Sequence, residues 1–380
     1  MKALKIKEAK VSPSGGEGGK IIIAGGGTGG HIFPAIAIAN AIKKIAPLTE
    51  FLFIGARGKM EMEKVPQAGY EIKGLEIAGF NRSSLIKNIG LPYKLLKSFL
   101  QVRTIFKSFK PDAVIGVGGY SSFPVLRFAQ SQRIKTFIHE SNSFAGKANI
   151  FLGRRATKIF VATDGMEKFF PAAKIMVTGN PVRQTIVLHA VTKEDALKHY
   201  AFSAEKKVVL VVGGSLGAKN INEAIDKDIE LFESNNLQLI WQTGKPYMDK
   251  ATERSRGRNN VYANDFITQM EFAYAAADMV ISRSGAMAIA ELCLVKKPVV
   301  FVPYPFAAED HQTANAQNLV NKDAALMIRD DQALNKLVPA IISLSKDEAL
   351  QESLKENIGR LGIADAAKII AEEILKTVQK

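Results

Sequence analysis

Short apolar runs alternate with longer segments of helical periodicity along most of the chain. In the first half the runs are Lys20–Ala24, Glu50–Ile54, Ala113–Val117, Lys135–His139, Lys158–Val161 and Lys174–Thr178. In the second half they are Val208–Val212, Leu237–Gln242, Val261–Asn264, Met279–Ser282 and Pro298–Val302. Runs this short and this apolar read as strands buried on both faces. Pro34 falls at the start of the helical segment Pro34–Ala46, where a missing N–H costs nothing. Strands alternating with helices predict a parallel sheet covered by helices on both faces. The pattern is written twice, with the turn cluster Gly179-Asn180-Pro181-Val182 between the copies. This predicts two α/β domains, residues 20–182 and 183–363, followed by an amphipathic helix from Ala364. Residues 1–19, rich in Gly, Ser and Pro from Ser12 onward, read as a flexible tail.

Two glycine turns stand at matching places in the two halves. Ile21-Ile22-Ile23-Ala24 leads into Gly25-Gly26-Gly27-Thr28-Gly29-Gly30-His31, and Val208 to Val212 leads into Gly213-Gly214-Ser215-Leu216-Gly217-Ala218. A strand, a glycine turn and a helix start leave free N–H groups and a positive helix end aimed at one spot, which suits a phosphate. Gly25, Gly27 and Gly30 match the dinucleotide fingerprint in form. An NAD site needs an acid at the end of the second strand; here Glu50 precedes that strand, which exits into Gly55-Ala56-Arg57-Gly58. Arg57 keeps an NADP reading open. Neither turn is followed by Gly-Lys-Ser/Thr, which argues against a P-loop NTPase.

Composition narrows the class. With 47% hydrophobic and 23% charged residues the chain reads as globular. No run approaches the ~18–20 apolar residues of a membrane span, and the N-terminus lacks the apolar core of a signal peptide. The lone Cys293 excludes an intrachain disulfide and fits a reducing cytoplasm. Residues 1–185 carry 28 Lys and Arg against 11 Asp and Glu, while residues 186–380 carry 23 against 26. The basic excess belongs to the first half alone, which implies an anionic partner there. No nucleic-acid motif accompanies it. The segment Ile77 to Ile89 sets Ile77, Phe80, Leu85, Ile86 and Ile89 among basic residues, as a membrane-surface patch would. Leu95, Phe99 and Val102 read instead as the packed face of a helix.

Candidate chemistry gathers after the strands. His31 opens a helix beside the first glycine turn and is a candidate general base or a helix-start histidine. Gly116-Val117-Gly118-Gly119-Tyr120 is a third glycine turn. His139-Glu140-Ser141-Asn142 ends a strand and is either a cleft element or a packed pair. Ser282 to Glu291 places small residues at a helix start, with Glu291 two turns in, where a carboxylate could take sugar hydroxyls or simply face solvent. Asp226-x-Asp228 has the spacing of metal carboxylates but falls in the helical segment Asn220–Phe232, which favours a solvated face.

Taken in order, Gly26-Gly27-Thr28-Gly29-Gly30-His31-Ile32-Phe33-Pro34, His139-Glu140-Ser141-Asn142, Gly179-Asn180-Pro181-Val182-Arg183, Gly213 to Ala218 and Arg283-Ser284-Gly285-Ala286 resemble the MurG family of peptidoglycan N-acetylglucosaminyltransferases. The motifs span residues 20 to 320. The resemblance implies a GT-B fold: two Rossmann-like domains with a cleft between, and a last helix, 364–380, returning to the first domain. It implies inverting transfer of N-acetylglucosamine from UDP-N-acetylglucosamine (UDP-GlcNAc) to the C4 hydroxyl of undecaprenyl-pyrophosphate-linked lipid I, forming lipid II. The first domain would then serve acceptor and membrane, the second the donor. By motif, Thr28, Gly29, Gly30, Asn142, Arg183 and Ser215 would contact the donor, Ile267 would bind uracil through its backbone, and Gln312 would reach the sugar. Ala286, Met287, Ala288, Ile289, Ala290 and Glu291 would line the nucleotide, with Glu291 on the ribose. His31 would be the base, with Tyr120, His139, Glu140 and Asn149 supporting it in the cleft. The resemblance implies no metal or other required cofactor, a divalent cation being at most stimulatory. It also implies a peripheral position on the cytoplasmic face of the plasma membrane, an anionic surface as partner, and contacts with other cell-wall synthesis or division proteins. Another UDP-sugar enzyme of the same fold, a glycolipid synthase or a UDP-GlcNAc epimerase, and a non-transferase NADP- or nucleotide-binding protein remain as alternatives.

Overall fold

The computed structural model describes residues 19–79, 90–182, 186, 191–214 and 216–378. The tail up to residue 18, Phe80, Leu85, Ile86, Ile89, Arg183 and Ser215 therefore lie outside the described residues. Seven strands build the first sheet: β1 (Lys20–Ala24), β2 (Glu50–Ala56), β3 (Ile72–Leu75), β4 (Ala113–Gly116), β5 (Lys135–Glu140), β6 (Lys158–Val161) and β7 (Ile175–Val177). Six build the second: β8 (Lys207–Val212), β9 (Leu237–Gln242), β10 (Val261–Asn264), β11 (Met279–Ser282), β12 (Val299–Phe301) and β13 (Leu326–Met327). The orders are β3-β2-β1-β4-β5-β6-β7 and β10-β9-β8-β11-β12-β13, the doubly wound order written twice. Each pairing that involves a glycine-turn strand is parallel, with Ile22 level with both Leu52 and Val114.

Strand residues alternate between two helix-covered faces, which is why the runs are apolar at their centres and carry polar residues mainly at their ends. Ile22, Leu52 and Val114 fill one face of the first sheet, and Ile21, Phe53 and Phe137 fill the other. In the second sheet Val208, Leu210 and Ile240 oppose Val209, Leu239 and Trp241. The strands absent from the sequence reading, β3 and β13, lie at sheet edges. An edge strand is paired on one side only and can be short and polar; β3 reads Ile-Lys-Gly-Leu and β13 has two residues. The expected helix Asn220–Phe232 breaks into Lys219–Lys227 and Glu230–Ser234.

The final helix, Ala366–Val378, leaves the second sheet and packs on the first domain. Ile370, Ala371 and Ile374 join the same cluster as Ile38 and Ile42, and Glu373 pairs with Lys158 at 3.2 Å. Ile77, expected on a membrane patch, is half-buried against the core of the first domain. An apolar side chain beside an open core face gains more from packing than from display. Among the described residues no helix is long and apolar enough to cross a membrane.

Candidate active site

β1 and β8 are the strands at which each sheet reverses its order, and open α/β sheets bind ligands outside the carboxyl ends of strands at that point. Both glycine turns therefore open into the cleft between the domains. In the first wall the helix Gly29–Ile45 begins after Thr28 with no side-chain cap and no acid in its first turn. The N–H groups of Thr28, Gly29 and Gly30 donate to no described residue, so this helix end is available to an anion. The half-buried His31 ring sets Nδ1 3.0 Å from the Gly26 carbonyl and 3.3 Å from Thr28 Oγ1. A carbonyl only accepts, so Nδ1 carries the proton and Nε2 is left as the basic nitrogen. Burial lowers the His31 pKa from its ordinary 6.5, against an opposing pull from the Gly26 carbonyl. Tyr120 stands half-buried beside Gly27, and burial raises its phenol pKa.

Two residues expected to act in the cleft are used differently. Glu140 is buried, and its carboxylate accepts from Asn142 N–H (3.1 Å), Asn142 Nδ2 (3.3 Å), Gly146 N–H (3.2 Å) and Asn149 Nδ2 (2.9 Å). With four donors on two oxygens it builds the loop after β5, and its lone pairs are not open to a substrate proton. His139 is 1% exposed, and neither ring nitrogen has a hydrogen-bond partner. Burial drives its pKa down to about 4, against an opposing pull from the Gly179 backbone. Of the two readings offered by the sequence, these contacts are those of packed residues, with Glu140 bracing the loop after β5 and both residues coupled electrostatically to His31.

A neutral buried histidine makes stability depend on pH. The unfolded chain binds a proton near pH 6.5 and the folded chain only near pH 4, so stability is intact above 6.5 and is lost as pH falls through that window. Urea titrations at pH 7 and pH 4.5 should differ by about 2–3 kcal/mol from this group. In His139→Leu that part of the difference should vanish.

In the second wall the helix Ala286–Val295 starts after Gly285 without a side-chain cap or an acid in its first turn. Ala286, Met287, Ala288, Ile289 and Ala290 are all half-buried, and they leave the helix end open for a diphosphate to approach. Glu291 is buried rather than exposed, and Tyr274 donates its hydroxyl to Oε2 at 3.0 Å. Ile267 N–H is spent on Gln242 Oε1 at 3.1 Å, while its carbonyl accepts from no described residue. Gln242 also donates to the Gly214 carbonyl at 3.1 Å, tying the second turn to the Ile267 loop. Gln312 Oε1 accepts from Tyr304 N–H at 3.0 Å, which leaves its amide nitrogen as the donor.

The walls meet below the cleft. Asn315 donates to Asn142 Oδ1 (3.2 Å) and accepts from Ser143 N–H (2.8 Å), and Asn180 reaches the Ala286 carbonyl (3.3 Å). Asn142, expected on the donor, is thus committed to protein partners at both ends of its amide. A cavity of about 240 Å³ lies at this seam, lined by Asn180, Ala290, Cys293 and Lys322 among others, and it includes neither His31 nor Glu291. Asp226 is held by Lys250 (2.6 Å), Arg254 (2.7 Å) and Tyr247 (2.9 Å), a structural ion-pair cluster. Among the described residues no group of three or more His, Cys, Asp or Glu could hold a metal ion.

Three residues of this site were given no role by the sequence reading. Gln242 ends a strand and bridges two loops, Glu61 reaches the first glycine turn from the next helix, and His311 adds a small electrostatic contribution to the lowering of the His31 pKa. None carries a local motif. Gln242, at the carboxyl end of a run already read as a strand, had positional signal.

Two doubly wound sheets with opposed switch points, and an uncapped helix end in each wall, define the two-domain GT-B architecture with an anion-accepting helix end on either side of its cleft. Comparison with known proteins agrees. The family models for the glycosyltransferase family 28 N-terminal and C-terminal domains match residues 21–161 and 208–371. The UDP-N-acetylglucosamine–N-acetylmuramyl-(pentapeptide) pyrophosphoryl-undecaprenol N-acetylglucosamine transferase of Parabacteroides distasonis is 50% identical over 363 residues, covering 95% of this chain and 99% of its own. The protein of the same name from Bacteroides fragilis is 48% identical over 370 residues, covering 96% and 97%. The crystal structure of Acinetobacter baumannii MurG superposes with a TM-score of 0.78 at 26% identity, covering 94% of this chain and 99% of that one. The chain belongs to the MurG family, within glycosyltransferase family 28.

Proposed function

We propose that the chain transfers N-acetylglucosamine from UDP-GlcNAc to the C4 hydroxyl of the muramyl sugar of lipid I, with inversion, to give lipid II. The observation that carries the reading is near-half identity, over almost the whole of both chains, to transferases named for this donor and this lipid-linked acceptor. The site supplies a mechanism. His31 Nε2 takes the C4 proton as the oxygen attacks the anomeric carbon, and the carbon–phosphate oxygen bond breaks on the opposite face. The open end of the helix Ala286–Val295 receives the charge that develops on the leaving diphosphate. Glu291, held by Tyr274, accepts from the ribose hydroxyls, the Ile267 carbonyl accepts from uracil, and the Gln312 amide donates to the sugar. Arg183 and Ser215 complete the donor set. The helix end at Thr28, Gly29 and Gly30 takes the acceptor pyrophosphate rather than the donor, because it shares a wall with His31.

The acceptor lipid implies a membrane surface. Tyr93, Leu96, Leu100, Arg103 and Lys107 recur every three or four residues along the exposed side of the helix Leu91–Phe109, so apolar and basic groups share one stripe. This stripe would lie against an anionic leaflet. Leu96→Ser with Leu100→Ser should weaken sedimentation with phosphatidylglycerol vesicles while sparing transfer to a water-soluble acceptor analogue. Unchanged sedimentation would remove this helix from the interface.

Labelled N-acetylglucosamine supplied as UDP-GlcNAc to synthetic lipid I, with and without a chelator, tests donor, acceptor and metal dependence together. Label appearing in lipid II is the expected outcome. Conversion of the donor without transfer would favour an epimerase of similar fold.

A further inference from the structure

Glu61, the first residue of the helix Glu61–Gln67, is 2% exposed although it carries a carboxylate. Its Oε2 accepts the Gly27 N–H at 2.8 Å and its Oε1 the Ala56 N–H at 3.0 Å. Room for it is made by absent side chains. A Cβ on Gly26 would stand 2.3 Å from Glu61 Cδ, and one on Gly55 would stand 2.4 Å from Cγ. Part of the first glycine turn is therefore cleared for the chain's own anion. The N–H that a dinucleotide phosphate would seek at Gly27 is already taken, which accounts physically for a fingerprint without a dinucleotide.

The peptide group between Gly26 and Gly27 has two ends. Its N–H meets Glu61, and its carbonyl faces His31 Nδ1 at 3.0 Å. We propose that Glu61 positions His31 through this peptide group, holding the imidazole in its Nδ1–H tautomer with Nε2 presented to the acceptor hydroxyl. A carboxylate on the N–H draws negative charge onto the carbonyl oxygen, so the bond from Nδ1–H strengthens. The opposite tautomer would set a ring lone pair against that oxygen. The arrangement does for His31 what a carboxylate does directly in other histidine pairs, with one peptide interposed. No proton leaves or reaches Glu61; the acceptor's proton ends on Nε2. The other titratable groups acting on His31 are Glu140, His139 and His311.

The inference rests on His31 being the base, and the experiment separates the two. Histidine-selective nitrogen NMR on the wild-type enzyme should find His31 as the Nδ1–H tautomer. Glu61→Gln keeps the shape but sets an amide against one of the two N–H donors. It should lower kcat about 10- to 100-fold, leave KM for UDP-GlcNAc unchanged and raise the Nε2–H population. In a His31→Ala background the same change should cost nothing further. A wild-type Nε2–H tautomer, an unaltered kcat in Glu61→Gln, or an equal loss in both backgrounds would each overturn the proposal. If Glu61→Gln does not fold, the wild-type tautomer decides. If His31→Ala keeps full turnover, the base reading fails, and the tautomer shift alone reports on Glu61.

Discussion

His31→Ala is expected to lower kcat for transfer to lipid I by about 10²- to 10⁴-fold, the usual contribution of a positioned general base. Affinity for UDP should stay within about twofold, because a group acting on the acceptor hydroxyl adds nothing to nucleotide binding. The geometry behind this is specific. Nδ1 is committed to Gly26 and Thr28, and Nε2 has no described partner. Burial holds the ring below its ordinary pKa of 6.5, so the basic form prevails at neutral pH. Protonation removes the base, so kcat should be level above pH 6.5 and fall as pH drops through the His31 value. The alanine variant should lose that acid limb together with the rate. A variant with near-normal turnover and an unchanged pH profile would show that another group takes the proton.

Gly217→Ala is expected to destabilise the second domain by about 2–4 kcal/mol, combining a left-handed backbone with an overpacked contact. Gly217 has φ of +76°, and a Cβ there would stand 2.1 Å from the Thr243 carbonyl oxygen. That oxygen cannot retreat. It accepts from Asn222 Nδ2 at 2.7 Å, and Asn222 Oδ1 in turn accepts from Trp241 Nε1 at 3.0 Å, all inside the domain core. The turn must move instead, and the Gln242 link from Gly214 to Ile267 moves with it, so affinity for UDP should fall as well. Gly257→Ala is the control. It has the same φ of +76° with nothing within 4 Å, so it should cost only about 1–2 kcal/mol and spare UDP binding. Urea unfolding and UDP titration on both variants measure the difference; equal losses would mean the Thr243 contact carries no weight.

The central strands were legible because a strand buried on both faces is apolar through its middle, and the edge strands β7 and β10 were legible because they too hold apolar residues. β3 and β13 were not, since these edge strands are a Lys- and Gly-containing four-residue run and a two-residue pairing. The site divides in the same way. Thr28 to His31 and Ala286 to Glu291 announce themselves, because a turn and a helix start are local events whose residues must be adjacent. Glu140 and His139 were equally visible, yet their uses were not. Whether a carboxylate is free or saturated depends on Asn142, Gly146 and Asn149 curling back upon it.

The sequence by itself determined two parallel sheets, a glycine turn after the first strand of each, and a basic first half. Periodicity, turn chemistry and charge are properties of neighbouring residues, and they survive without a fold. Tertiary structure alone decided what fills the turns. It brought Glu61 beneath Gly26 and Gly27, carried His311 across to His31, and joined Asn142 to Asn315 at the seam. These contacts link residues 34, 280 and 173 positions apart, and no local pattern records them. Only the packing of one domain on itself, and then on the other, puts those atoms within hydrogen-bond or electrostatic reach.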